Sequence, residues 1–158
     1  AAGLAGIELQ AYGHLMDQFW SPLTNTLDGP YGGDLDGRLR FTFDTLKAIR
    51  DRVGSEFIVG VRYTGDEDLP GGLTREDGLE ISKRLKDSGM DDFLNVVKGH
   101  IDTDAGLTDL IPIQGMRNAP HLDFAGEIRA ATAMPTFQAS PKVGNGVFEE
   151  LSTRSVDW

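Results

Sequence analysis

Six polar side chains that can donate, accept or transfer protons lie in two short segments of the sequence. They are Gln10, Tyr12 and His14 in the first segment and His100, Asp102 and Asp104 in the second. Phenols, imidazoles and carboxylates are the side chains that most often act in proton transfer. A carboxylate can also orient a neighbouring ring or pair with a cationic amine. The two segments therefore predict a polar site for a small molecule.

Each of these residues also fits a purely structural role. Tyr12 could only pack against the core, and a loop histidine such as His14 is often satisfied by backbone groups. Asp102 and Asp104 could cap a turn, because short carboxylates bind nearby backbone N–H groups. Residue type alone leaves both roles open.

Composition excludes several classes of partner and site. The 158 residues carry 15 basic and 25 acidic side chains, and the net charge of −10 argues against binding to nucleic acid or anionic membrane. No apolar run reaches the roughly 18 to 20 residues of a membrane span. The chain has no cysteine, so it forms no disulfide and holds no iron–sulfur cluster through cysteine. We expect a cytoplasmic protein. We also expect no metal site, since no two of the three histidines are four residues apart.

Apolar runs alternate with helical patterns along the chain. The expected strands are residues 7–9, 57–63, 93–97 and 135–137, and the expected helices are 35–53, 74–89 and a segment after Pro120. Gly54 and Gly89 are placed to end the first two helices, and Thr74 with Asp77 resembles a capping box. This alternation predicts a parallel α/β sheet.

The pattern does not choose between a curled barrel and an open sheet with helices on both faces. A complete (β/α)8 barrel takes about 250 residues, so this chain has the length of roughly half a barrel. Two long connections, residues 10–35 and 98–119, follow strand ends, where α/β enzymes keep their chemistry. Residues 1–138 form the predicted barrel part, and 139–158 are expected to be a short helix or a disordered tail without an assigned domain.

A 35-residue stretch carries a specific family motif. It reads GIELQAYGHLMDQFWSPLTN over residues 6–25, followed by Tyr31-Gly-Gly and Arg38-Leu-Arg-Phe41, with Val59-Gly-Val-Arg62 at the next strand. This resembles the old yellow enzyme family of NADH:flavin oxidoreductases. Three later segments, 99–104, 113–117 and 119–124, resemble in particular its trimethylamine and dimethylamine dehydrogenase-like and N-methyl amine demethylase members. The resemblance implies a partial (β/α)8 TIM barrel, about strands 4 to 7, with FMN as cofactor and NAD(P)H as an electron partner.

The same resemblance implies roles for individual residues. Arg62 would lie against the pyrimidine side of the flavin and stabilise negative charge on its reduced form, and Gln10 would also contact the cofactor. Tyr12, His14 and Asp104 would be catalytic, and His100 and Asp102 would bind the substrate. Ene-reductases carry imidazoles where this chain has Gln10 and Tyr12, and a tyrosine where it has His14. These departures favour oxidation of a methylated amine.

Several hypotheses stay open at this point. The chain could be part of a longer FMN-dependent amine demethylase, a catalytically inactive half-barrel, or part of an ene-reductase-type flavin oxidoreductase. A fourth hypothesis, independent of the resemblance, is a hydrolase that uses Glu8 and Asp104 as an acid–base pair. Arg38 and Arg40 are expected to pin the long loop through hydrogen bonds. The oligomeric state, including a homo-oligomer, is left open by the sequence.

Overall fold

The computed structural model of the chain describes residues 3–100, 103, 104, 107 and 121–138. Its strands are β1 (Gly6–Ala11), β2 (Ile58–Asp66), β3 (Phe93–Lys98) and β4 (Thr136–Gln138), and its helices are α1 (Leu15–Trp20), α2 (Leu35–Val53), α3 (Arg75–Ser88) and α4 (Leu122–Thr132). The four strands are parallel and lie in the order β1-β2-β3-β4. The predicted parallel sheet is confirmed, whereas the predicted tail lies outside the described residues.

The ends of the two long helices follow from local sequence. The Asp34 carboxylate accepts a hydrogen bond from the Gly37 N–H at 2.9 Å, which caps α2. At α3, the Thr74 hydroxyl accepts from the Asp77 N–H while the Asp77 carboxylate accepts from the Thr74 N–H. Gly89 ends α3 in the left-handed conformation, with φ of 63°. The predicted capping box is confirmed.

The sequence predicted a loop for the first long connection. The structure shows that this connection also contains the short helix α1. The Asp17 carboxylate accepts hydrogen bonds from the N–H groups of Gly13 and His14, which begins the helix. Its last residue, Trp20, is fully buried and donates its indole N–H to the Thr42 hydroxyl of α2 at 2.7 Å. A helix of six residues is marginal by itself, so these contacts stabilise it.

The helices pack on one face of the sheet. Successive strand residues point to opposite faces, and Val59, Val61 and Tyr63 of β2 all point into a fully buried core. That core also takes side chains from every long helix, namely Leu39 and Leu46 of α2, Ile81 and Leu85 of α3, and Phe124 and Ile128 of α4. A doubly wound sheet would carry helices on both faces. The one-sided arrangement is that of a barrel segment, and we call the opposite face of the sheet, which none of the described helices covers, the open face.

None of the helices in the described part of the chain is long and apolar enough to cross a membrane.

Candidate active site

A row of polar side chains crosses the open face of the sheet. Gln10 of β1 is aligned with Arg62 of β2, and Arg62 is aligned with Asn95 of β3. Glu8 lies two residues before Gln10 and therefore points to the same face. The row starts near the carboxyl end of β1 and crosses the middle of β2 and β3; barrel enzymes carry the active site on the carboxyl side of their strands.

Arg62 is held by Glu8 on one side of its guanidinium group. Its Nε atom lies 2.8 Å from Glu8 Oε1, which is the distance of an ion pair. The Nε–H bond of Arg62 does not point towards Glu8 Oε1 as a hydrogen bond requires. The contact is therefore an ion pair, whose energy depends little on the direction of that bond. Among the described residues no acceptor is hydrogen-bonded to the terminal nitrogens of Arg62. Arg62 therefore presents donors to the open face.

Glu8 is tied to a third strand as well. The Asn95 amide nitrogen donates to Glu8 Oε2 at 2.7 Å. Only the NH₂ end of the amide can donate to a carboxylate, so Asn95 Oδ1 faces away, and it is buried without a hydrogen-bond partner among the described residues. Asn95 was not among the predicted site residues. The available signal was a polar residue at the centre of an apolar strand.

Tyr12 follows β1 and is half-buried beside this row. Burial raises the pKa of its phenol, the Asp17 carboxylate raises it further, and the Arg62 guanidinium opposes the rise. The phenol is therefore protonated at neutral pH and acts as a hydrogen-bond donor rather than as a base. The Gln10 side chain donates to the Tyr12 backbone carbonyl at 3.2 Å, which fixes the turn after the strand.

His14 lies two residues further on, at the N-terminus of α1, and is exposed. Its backbone N–H donates to the Asp17 carboxylate at 2.9 Å, so the same carboxylate orients the turn that carries both Tyr12 and His14. Gln10, Tyr12 and His14 thus lie at the carboxyl end of β1, and Arg62 lies beside Gln10 in the middle of β2.

The second predicted segment follows the end of β3. His100 is hydrogen-bonded through Nδ1 to the Glu67 carbonyl and through Nε2 to the Thr103 hydroxyl, each at 3.2 Å. Both ring nitrogens are therefore engaged within the protein. Asp104 is exposed in the same segment, and Asp102 lies outside the described residues. Parallel strands end at one edge of the sheet, so this segment shares an edge with Tyr12.

The loop between α1 and α2 is pinned by side-chain hydrogen bonds to backbone carbonyls. Arg38 donates to the carbonyls of Trp20 at 2.7 Å and Gly33 at 2.8 Å, which confirms its predicted structural role. Arg40 is exposed and makes no such bond within the described ranges. Asn25 adds two more bonds, to the carbonyls of Phe19 and Tyr31.

Within the part of the chain that the structure describes, no three His, Cys, Asp or Glu side chains are grouped to hold a metal ion.

Known proteins share both the sequence and the fold of this chain. Residues 1–105 match the model of the NADH:flavin oxidoreductase / NADH oxidase family. The chain is 73% identical over 140 residues to a probable N-methylproline demethylase from Rhizobium meliloti (strain 1021), covering 89% of this chain and 21% of that protein. It is 41% identical over 138 residues to an N,N-dimethylglycine/sarcosine dehydrogenase from Chromohalobacter salexigens, covering 87% and 20% respectively. The chain therefore spans about one fifth of the length of these relatives.

A solved structure of 2-naphthoyl-CoA reductase in complex with 2-naphthoyl-CoA matches the fold. The TM-score is 0.86 at 25% sequence identity, and the match covers 96% of this chain and 23% of the reductase. The fold is thus a partial (β/α)8 TIM barrel, with β1 to β4 corresponding to about strands 4 to 7, as the sequence predicted.

Proposed function

Because this chain belongs to the NADH:flavin oxidoreductase / NADH oxidase family, we propose that it forms the substrate-side part of an FMN-dependent enzyme that oxidatively demethylates an N-methylated amine. The observation that carries the proposal is the 73% identity over 140 residues to a probable N-methylproline demethylase. Family membership also sets aside the hydrolase hypothesis, and Glu8 is engaged by Arg62 and Asn95 instead.

The open face fits the polar edge of a flavin ring. The ion pair with Glu8 is made at Arg62 Nε and leaves the terminal N–H groups to other acceptors, and Asn95 Oδ1 is a buried acceptor without a described partner. The pyrimidine edge of a flavin offers carbonyl oxygens and an N–H group, which can fill donors and acceptors of this kind. Arg62 and Gln10 would hold the cofactor there, as the family resemblance implies.

FMN, when bound, would supply the acceptor for the two electrons and the hydrogen that leave the N-methyl group; water then adds to the resulting N-methylene cation and formaldehyde is released. The residues of this chain would position the substrate and set the local charge. Arg62 places a fixed positive charge at the open face, which favours negative charge developing beside it. The protonated Tyr12 phenol can donate a hydrogen bond to the substrate.

The substrate-side group consists of Tyr12, His14, His100, Asp102 and Asp104. Two carboxylates and the exposed His14 imidazole suit a site that receives a cationic amine, because carboxylates can pair with it and an imidazole can take up its proton; His100, whose ring nitrogens are both bonded within the protein, would line the site. The names of both relatives contain an N-methylated amino acid. We therefore propose an N-methylated amino acid as the substrate class.

A second candidate function is reduction of an activated carbon–carbon double bond. The solved protein with the matching fold is a reductase, and FMN with NAD(P)H would serve both reactions. Ene-reductases hold the substrate carbonyl with imidazoles, whereas Gln10 and Tyr12 occupy those positions here. These neutral groups polarise a carbonyl less, so we favour the amine reaction.

The test uses the protein encoded by the complete reading frame that contains residues 1–158. We expect it to purify yellow with FMN absorbance, to bleach on addition of N-methylproline or N,N-dimethylglycine under anaerobic conditions, and to release formaldehyde. Reduction of cyclohexenone by NAD(P)H without amine oxidation would favour the second candidate. A colourless protein after refolding with FMN would contradict both and support the inactive half-barrel.

A further inference from the structure

Glu8 connects three neighbouring strands on the open face. From β1 it contacts Arg62 of β2 through Oε1 at 2.8 Å and Asn95 of β3 through Oε2 at 2.7 Å. Its two oxygens are therefore committed to two different strands. A carboxylate held at both ends has little rotational freedom left, so its charge is fixed relative to Arg62.

The contact with Arg62 is made through Nε and not through the outer fork of the guanidinium group. A guanidinium is planar and offers donors on more than one side. Because the ion pair is made at Nε, it keeps the guanidinium close to Glu8 while it leaves the terminal nitrogens to other acceptors. Glu8 thus holds Arg62 without occupying the donors that a ligand on the open face would use.

The contact also changes the local charge. An isolated Arg62 would present one full positive charge, whereas the pair of Arg62 and Glu8 has a net charge near zero. Both side chains are partly buried, at 35% and 28% exposure, so water screens the pair only in part. If a strong positive field were the sole requirement at this position, the carboxylate would be a disadvantage.

We infer that Glu8 is a positioning residue that holds the Arg62 guanidinium and offsets part of its charge, and thereby lowers the reduction potential of the bound flavin. This role rests on the proposed FMN site. Reduced flavin gains negative charge, which a bare cation stabilises and a neutralised cation stabilises less. With Glu8 in place, the reduced cofactor passes its electrons on to the acceptor more readily.

The experiment measures the two-electron midpoint potential of FMN in the full-length protein and in its Glu8→Gln variant. Glutamine keeps the size of the side chain and an acceptor for Asn95 but removes the charge. We expect the reduction equilibrium to shift about tenfold towards reduced flavin, which is about 30 mV for a two-electron couple. Glu127→Gln is the matched control, since Glu127 forms an ion pair with Arg75 between α3 and α4, and it should leave the potential unchanged.

Arg62→Gln separates this inference from the proposed function. It should shift the potential in the opposite direction, towards oxidised flavin. If Arg62→Gln shifts the potential but Glu8→Gln does not, the role of Glu8 is wrong and the FMN site stands. If the wild-type protein holds no FMN, both are wrong.

A second variant covers the case in which Glu8→Gln does not fold. Asn95→Ser withdraws the amide that holds Glu8 but leaves its charge. We expect a shift towards reduced flavin that is smaller than that of Glu8→Gln, because a loosened carboxylate offsets Arg62 less. A wild-type potential in Asn95→Ser would then overturn the inference.

Discussion

Gly78 of α3 lies directly against the backbone of Gly65 in β2: a Cβ atom on Gly78 would stand only 1.9 Å from the Gly65 carbonyl oxygen. This close approach allows α3 to pack flat on the strand that carries Arg62. Gly65 lies at an irregularity of the β2–β3 ladder, between Thr64 and Asp66, and its backbone carbonyl is packed against the helix, so an added methyl group would have to push the two elements apart. The pair of glycines therefore sets the distance between the helix and the strand.

We predict opposite effects for two alanine substitutions within helices. Gly78→Ala should lower the free energy of unfolding by about 1–3 kcal/mol, because the added methyl group overpacks the contact with Gly65. Gly126→Ala in α4 should raise it by about 0.5–1 kcal/mol, because a Cβ there meets no described atom within 4 Å and alanine favours the helix. Thermal unfolding of both variants provides the measurement. Equal midpoints would mean that α3 does not approach β2 this closely.

We predict that the buried Asp91 carboxyl makes the free energy of unfolding depend on pH. It is 6% exposed, and neither carboxylate oxygen has a hydrogen-bond partner among the described residues. Burial raises its pKa to about 6 from 3.8 and the negative charge of Asp92 adds to the rise, whereas contacts with its own backbone N–H and the Ser88 hydroxyl, too poorly aligned to count as hydrogen bonds, and the charge of Arg50 oppose it. Between pH 3.8 and about pH 6 the folded state therefore binds more protons than the unfolded state. The free energy of unfolding should fall as the pH rises through this range.

The Asp91→Asn variant should remove that loss. At pH 7 we expect its free energy of unfolding to exceed that of the wild type by up to about 3 kcal/mol, at 1.36 kcal/mol per pKa unit, and the gap should close below about pH 4. Asp92→Asn is the control, because Asp92 pairs with Arg50 at 2.6 Å and accepts from the Val59 N–H at 2.8 Å. That variant should be less stable at pH 7. Parallel pH curves for wild type and Asp91→Asn would contradict the prediction.

We predict that replacing Tyr12 lowers the activity without changing its pH profile. Its phenol has a pKa above the ordinary value of 10.0, so it stays protonated across the pH range of an assay. Tyr12→Phe removes this donor and should lower kcat/KM for an N-methylated amine by about 10²-fold, while the limbs of the pH profile stay in place. Tyr31→Phe is the matched control, since the Tyr31 hydroxyl bonds Asp44 of α2 at 3.0 Å, within the pinned loop. Wild-type activity in Tyr12→Phe would remove Tyr12 from the proposed site.

Local signals predicted most of the fold. The ends of α2 and α3 follow from Asp34, Thr74, Gly54 and Gly89, whose effects act within a few residues of the chain. The apolar runs predicted the strands for the same reason. In contrast, α1 was not predicted, because Trp20 is anchored by Thr42, a contact of tertiary structure that flanking glycines and prolines do not indicate.

The site was predicted less completely than the fold. The motif led to Gln10, Tyr12 and Arg62, which the structure places at the carboxyl end of β1 and in the middle of β2. It did not reveal the support of Arg62, because Glu8 and Asn95 are 87 residues apart and meet only once the register of three strands is set. The spacing of residues along the chain does not indicate such a contact.

The pinned loop has a consequence for protein engineering. Arg38 fastens the loop to its own following helix, so the loop would move together with the unit of β1, α1 and α2 in an exchange between family members. The ties that leave this unit include the β1–β2 ladder, the contacts of Glu8 with Arg62 and Asn95, the ion pair of Arg50 with Asp92, the Ser21 bond to Glu67 and the Trp20–Tyr63 ring contact. A chimaera that exchanges the unit whole would import the proposed substrate-side residues Tyr12 and His14 with their local support, provided that the recipient matches the partners of these ties.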